Sequence, residues 1–212
     1  MNKIHIEKPT LIIVAGVAGS GKGYFSKEIT RRVWDCVRLD KDTINTSFLA
    51  THKNNDLGYI LNGPETPGNS EYFKKNVKFQ SYYCLLMLAL DCFQVKKHPL
   101  LDAPYTREIQ NGYLDEVLFP FFKEHNIKDV EKNTKIVLCY ASPEIIEKRL
   151  KERDFKRDSN KLISKEDFNN FLKVSPFIPS NINDYNHIKI DTSSHPEKQE
   201  KNIRKTLDYL LE

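Results

Sequence analysis

The chain predicts an α/β fold: a three-layer α/β/α sandwich around a mostly parallel five-stranded sheet. Short apolar runs, the first of them β-branched, recur between stretches of helical character, at residues 11–15, 36–39, 100–101, 135–141 and 187–190. Alternation of this kind builds parallel strands joined by crossover helices. Half of the eight glycines fall within eight consecutive residues, Gly16 to Gly23, directly after the first run. A length of 212 residues suits one such domain, spanning 1–212, with a sizeable core.

The first strand is Leu11-Ile12-Ile13-Val14-Ala15, and residues 24–33 read as a helix. Between them lies Gly16-Val17-Ala18-Gly19-Ser20-Gly21-Lys22-Gly23. Strand, glycine loop with lysine, then helix is an arrangement that cradles phosphate. Backbone N–H groups and a helix N-terminus converge on an anion, and Lys22 adds a mobile positive charge. The segment is a P-loop, so the expected architecture is the P-loop NTPase fold. The nucleotide-binding residues are Gly16, Val17, Ala18, Gly19, Ser20, Gly21, Lys22, Gly23 and Tyr24. Most P-loops follow the lysine with a Ser or Thr whose hydroxyl touches Mg²⁺; here Gly23 stands there.

The second strand leads into Arg38-Leu39-Asp40-Lys41-Asp42-Thr43-Ile44, and residues 42–50 read as a helix. Residues 51–70 hold Gly58, Gly63, Pro64, Pro67 and Gly68, which predicts a long irregular loop. A loop of that length in a compact domain is usually functional, and an acceptor-binding insertion is expected near 51–75. Residues 71–97 read as a long, broken helix whose middle, Tyr82 to Leu90, is apolar on all faces and therefore expected to be buried.

The third strand ends in Asp102, within His98-Pro99-Leu100-Leu101-Asp102-Ala103-Pro104-Tyr105-Thr106-Arg107. An aspartate at such a strand end, beside the phosphate loop, can hold Mg²⁺ through water. Tyr105 and Arg107 follow at the sheet edge where ligands of open α/β folds bind. After the fourth strand, Ser142 and Pro143 read as N-cap and first residue of a helix. Arg149, Arg153 and Arg157 then recur at a spacing that shares one helix face, either a lid over the phosphates or a solvated surface. Ser164 with Asp167 marks another helix start. Residues 196–211 close the chain as an amphipathic helix.

Basic and acidic residues number 33 and 29, a net charge of +4 with both signs interspersed, which excludes a strongly basic nucleic-acid binder. Cys36, Cys84, Cys92 and Cys139 match no metal-ligand spacing and read as reduced core thiols. The scattered histidines carry no ligand pattern. The first residues lack the apolar stretch of a signal peptide, and no apolar run is long enough to cross a bilayer. A soluble, cytoplasmic protein with no membrane partner is expected. The sequence leaves its oligomeric state open.

The glycine loop resembles that of adenylate kinases, in which a glycine also follows the lysine and the metal is held largely through water. Tyr24 replaces the threonine of that family. The element Asp40 to Ile44 is similar to that of a small-kinase group that includes polynucleotide kinases, chloramphenicol phosphotransferase and zeta toxins, and the chain also resembles AAA-type ATP-binding proteins. Aligned on Ile44, Asp42 becomes the residue that deprotonates an acceptor hydroxyl, with Asp40 as the alternative. Thr43 and Asn45 stand where the group has an acid and an arginine. The resemblance implies Lys22, Asp42, Arg149 and Arg153 as catalytic residues, the arginines on a lid near 149–165. It implies Asp42 and Asp102 as water-mediated metal holders, and Asp40, Tyr105 and Arg107 as substrate contacts. Adenine is expected near Asp191 and Thr192, which could equally cap the next helix.

The function implied is transfer of the γ-phosphoryl group of ATP, with Mg²⁺, to a hydroxyl of a small-molecule or nucleotide-like acceptor. One alternative is a nucleic-acid 5′-hydroxyl or zeta-toxin-like kinase, which the missing arginine disfavours. The other is an ATP-binding regulatory protein or slow ATPase without an acceptor.

Overall fold

The strands are β1 (Leu11–Ala15), β2 (Cys36–Asp40), β3 (His98–Asp102), β4 (Thr134–Tyr140) and β5 (His187–Asp191), joined in one five-stranded sheet of order β2-β3-β1-β4-β5. Every pairing is parallel. The computed structural model describes residues 3–49, 73–153, 158, 161–193 and 196–212. The helices among them are α1 (Lys22–Arg32), α2 (Lys41–Leu49), α3 (Lys78–Gln94), α4 (Thr106–Gln110), α5 (Phe119–Glu124), α6 (Pro143–Arg153), α7 (Lys165–Val174) and α8 (Pro196–Leu211).

Side chains alternate across each strand, so each central strand feeds two cores. Leu11, Ile13 and Ala15 of β1 join a cluster with Leu85, Leu86 and Phe122 beneath α3 and α5. Ile12 and Val14 join Phe25, Ile29 and Ile203 beneath α1 and α8. Helices thus cover both faces, which is why β1 and β3 are buried throughout while the edge strands β2 and β5 are only partly so. A smaller cluster around Ile146, Leu150 and Phe168 packs α6 and α7 beside the glycine loop.

β3 is longer than the two apolar residues that suggested it, because Pro99 lies inside it. Proline cannot donate to a ladder and is tolerated at a strand's beginning. Pro99 pairs with Val37 of β2, while β1 joins β3 only from Leu100 onward. The proline therefore sits where the strand has a neighbour on one side.

The expectation of a helix buried on all faces is corrected. A five-residue π turn, Phe73–Val77, precedes α3. Tyr82, Leu85, Leu86, Ala89 and Leu90 face the core, but Tyr83 is 58% exposed and Met87 and Leu88 are each 38% exposed. α3 lies on one layer over β2 and β3, so one stripe of an apolar helix is left outward. Ser142 begins α6 as expected: its Oγ lies 3.5 Å from the Ile145 amide and its carbonyl accepts from Ile146. Ser164 caps α7 by accepting from the Asp167 amide at 3.1 Å. α6 ends at Arg153, and Arg157 lies outside the described residues, as does nearly all of the segment near 51–75. Among the described residues no helix is long and apolar enough to cross a membrane.

Candidate functional site

The sheet order changes direction at β1, whose neighbours β3 and β4 come from later in the chain. Ligands of open α/β sheets bind beyond the strand ends at such a point. There the glycine loop, the ends of β2 and β3, and the C-terminal half of α6 enclose a cleft of about 380 Å³. Its lining includes Lys22, Lys27, Arg38, Arg149 and Arg153 against Asp40, Asp42 and Asp102. Five basic and three acidic side chains suit a polyanion that arrives with a counter-cation.

Gly16, Gly19 and Gly21 shape the loop with positive φ, and the first and last show why. Gly16 leaves β1 at φ 152°, and its amide donates to the Pro104 carbonyl at 2.8 Å. A Cβ there would collide with Ser20 Oγ and the Cys139 carbonyl. Gly21 caps α1 at φ 84°, and a Cβ there would press on Thr192 at 3.0 Å. No side chain caps α1; the Tyr24 amide turns back to the Gly21 carbonyl at 3.0 Å, which leaves the Lys22 and Gly23 amides for an anion. This arrangement fits a nucleotide phosphate. Gly23 is different in kind: a Cβ would meet nothing within 4 Å.

The two aspartates after β2 divide their roles. Asp40 caps α2, its Oδ1 accepting from the Asp42 amide at 2.9 Å and its Oδ2 from Thr43 Oγ1 at 3.2 Å. Asp42, the second residue of α2, lines the cleft. Asp102 is 3% exposed, and its Oδ2 accepts from Ser26 Oγ at 2.5 Å and from Arg38 Nη2 at 2.6 Å and Nε at 3.0 Å. Arg38 Nη2 also reaches Asp40 Oδ2 at 2.9 Å. Burial opposes the Arg38 charge, but its bonds to Asp102 and Asp40 outweigh this and hold its pKa above the ordinary value.

Among the described residues no group of three or more His, Cys, Asp or Glu is arranged to hold a metal ion. The donor set nevertheless fits Mg²⁺ carried in on a nucleotide. Such an ion keeps several waters and needs only one or two carboxylates, here Asp102 and Asp42.

Arg149 lines the cleft, yet its guanidinium is committed to Gly19 and Thr192. Nη1 donates to the Gly19 carbonyl at 3.2 Å and to Thr192 Oγ1 at 2.9 Å, and Nη2 to the Thr192 carbonyl at 2.6 Å. Thr192 Oγ1 lies 2.7 Å from the Ser20 carbonyl. Arg149 and Thr192 together tie α6 and the end of β5 to the glycine loop, and burial lowers the Arg149 pKa. Asp191 accepts from the Ser193 amide at 2.8 Å, a local turn ahead of α8 rather than a cap on it. Arg153 pairs with Asp158, which also holds Lys161. Burial pushes the Asp158 carboxyl up, and the two cations more than reverse this.

Not every expected residue comes to the cleft. Val17 and Ala18 pack into the cluster with Ile146, Leu150 and Phe168, Ser20 is buried, and Tyr24 is 49% exposed beside Phe25. Arg107 is exposed away from it. Tyr105 is wholly buried against Tyr82 and Tyr113, with ring centroids 5.4 and 6.2 Å away, so the expected substrate contact is corrected to a core position. Its hydroxyl has no hydrogen-bond partner among the described residues. Arg38 and Lys27 were not anticipated. Arg38 stands two residues before Asp40 on one face of β2, a spacing that signals contact. No pattern marks Lys27.

The family model described as an AAA domain matches residues 11–176. No curated protein matches the chain. Among solved structures, a provisionally named kinase from Chloroflexus aurantiacus superposes with TM-score 0.64 at 16% identity, covering 96% of this chain and 100% of that one. A gluconokinase from Sinorhizobium meliloti gives 0.52 at 12%, covering 96% and 94%. Deoxyadenosine kinase from M. mycoides, with bound dCTP, gives 0.51 at 16%, covering 93% and 98%. These likenesses are of fold: the P-loop kinase architecture.

Proposed function

This chain belongs to the AAA-domain family, and on that footing we propose that it is an ATP-dependent phosphotransferase with a hydroxyl acceptor. The observation that carries the reading is the position of Asp42: it lines the same cleft as Lys22, while Asp40 accepts the capping bond from its amide. The amides of α1 and Lys22 hold the β- and γ-phosphates. Asp42 accepts the proton of the acceptor hydroxyl as its oxygen bonds to the γ-phosphorus, and the bond to the β,γ-bridging oxygen breaks to release ADP. Arg153 neutralises charge on the transferring group. It can leave Asp158 without stranding that carboxylate, because Lys161 remains on it. Arg149 acts through the loop it ties down. When bound with the nucleotide, Mg²⁺ supplies further charge neutralisation, with Asp102 and Asp42 as its water-mediated holders.

The names of two structural neighbours, gluconokinase and deoxyadenosine kinase, set small hydroxyl compounds and nucleosides as the acceptors to try first. We assign acceptor contacts to the segment near 51–75 and the lid to 149–165. The test is ADP release from Mg·ATP across such a panel, with a 5′-hydroxyl oligonucleotide as a separate arm. An acceptor should raise the rate, and Asp42→Asn should cut that rate by roughly 10²-fold or more while ATP still binds. An unchanged rate in Asp42→Asn removes Asp42 as the base. ATP turnover indifferent to every acceptor moves the protein to the nucleotide-switch class.

A further inference from the structure

Asp40 and Asp102 are paired residues on adjacent parallel strands. Two carboxylates so placed repel each other unless a cation lies between them. The cation present is a side chain of the protein. Arg38 Nη2 bridges Oδ2 of Asp40 at 2.9 Å and Oδ2 of Asp102 at 2.6 Å, and Nε makes a second bond to Asp102 at 3.0 Å. Ser26 lies behind the pair, its Oγ accepting from Arg38 Nε at 2.9 Å and donating to the same Asp102 oxygen at 2.5 Å. The arrangement is built rather than incidental. Asp102 is 3% exposed, and the Arg38 side chain is 22% exposed. A guanidinium cannot be deprotonated at any working pH, so this occupancy does not lapse. The loop adds no hydroxyl at Gly23 to strengthen a competing ion.

We propose that Arg38 is a resident counter-cation that keeps the Asp40–Asp102 pair from binding a bare divalent ion, so that metal enters the cleft only with its nucleotide. Because three donors gather on Oδ2 of Asp102, Arg38 also fixes which carboxylate oxygen, Oδ1, is left for the metal's water. Arg38 is thus a positioning residue that sets the order of loading. The inference rests on the kinase reading only for the nucleotide step; exclusion of the bare ion stands by itself.

The test is titration of the nucleotide-free full chain with Mn²⁺, following the free ion by electron paramagnetic resonance. Arg38→Met removes the charge at similar length and should tighten Mn²⁺ binding by at least about tenfold over the parent, since a unit charge beside the ion is lost. Adding Asp102→Asn should return the affinity to the parent level. Arg38→Lys, which keeps charge without the fork, should stay near the parent. If Arg38→Met does not fold, as judged by its melting transition, Arg38→Gln carries the same expectation. Equal Mn²⁺ affinity in the parent and the folded neutral variant overturns the proposal. So does tight binding that survives Asp102→Asn. Acceptor-dependent ADP release without any Mn²⁺ effect retains the kinase reading and rejects this inference. A clear Mn²⁺ effect with no acceptor found does the reverse.

Discussion

Replacing Gly23 by serine restores the hydroxyl that most phosphate loops carry, and its consequences can be worked from the structure. Gly23 lies in the first turn of α1 outside the positive-φ region, and an added Cβ meets no heavy atom within 4 Å. Serine is favoured over glycine in a helix by roughly 0.5 kcal/mol, so stability should rise rather than fall. For a domain of this size that corresponds to a Tm gain of about 1–2 °C. A hydroxyl bonded to a charged partner contributes about 1.5–3 kcal/mol, and 1.4 kcal/mol is tenfold in binding. Half-maximal ADP release should then need roughly tenfold less Mg²⁺. Gly21→Ser is the contrast. At φ 84° with Thr192 at 3.0 Å, it should cost on the order of 1–3 kcal/mol and weaken ATP binding. Thermal melts and a Mg²⁺ titration of both variants decide the matter. A Gly23→Ser protein less stable than its parent by more than about 1 kcal/mol, the lower end of that strain cost, would refute the open first turn. An unmoved Mg²⁺ midpoint would refute the account of the metal.

Tyr105→Phe should be neutral or stabilising by up to about 1 kcal/mol, because it removes a buried hydroxyl without a described partner, and it should leave activity intact. A large loss of acceptor affinity in that variant would restore Tyr105 as a substrate contact. Arg149→Gln should destabilise by about 2 kcal/mol, since carbonyls on the loop and after β5 lose a charged donor, with weaker ATP binding in calorimetry as the companion effect. Equal melting of variant and parent would show that Arg149 is free to act elsewhere. His98 is buried and its Nδ1 accepts from the Thr10 amide at 3.1 Å, which requires the neutral ring, and burial lowers its pKa. Its contribution is therefore complete above the unfolded value of about 6.5 and is lost as pH falls through the lower folded pKa, with a slope of at most about 1.4 kcal/mol per pH unit. Chemical denaturation of the parent and His98→Gln from pH 7.5 to 5 should show the steeper loss in the parent; parallel curves would rule it out.

What was legible in the sequence follows from how local its causes are. The glycine loop and its flanking strand and helix are specified by neighbours in the chain, as is Ser164, which caps α7 where its spacing to Asp167 indicates. Asp40 and Asp42 could not be told apart, because an aspartate before a helix serves equally as cap or base until its partners are known. The all-apolar middle of α3 carries no periodicity, so nothing in it tells which stripe faces out. Tyr105 sits beside the cleft in sequence, but its positive φ of 49° turns the start of α4 and sends the ring into the core.

By itself, the sequence determined a phosphate-binding loop on an alternating α/β frame, because hydrophobic period, glycine placement and caps act within a few residues. The tertiary structure alone decided that Arg38 lies between Asp40 and Asp102, that Arg149 is tied to the loop, and that Asp42 lines the cleft. Charges find partners across strands and between layers, and pairing at that range depends on sheet order and register, which no single segment encodes.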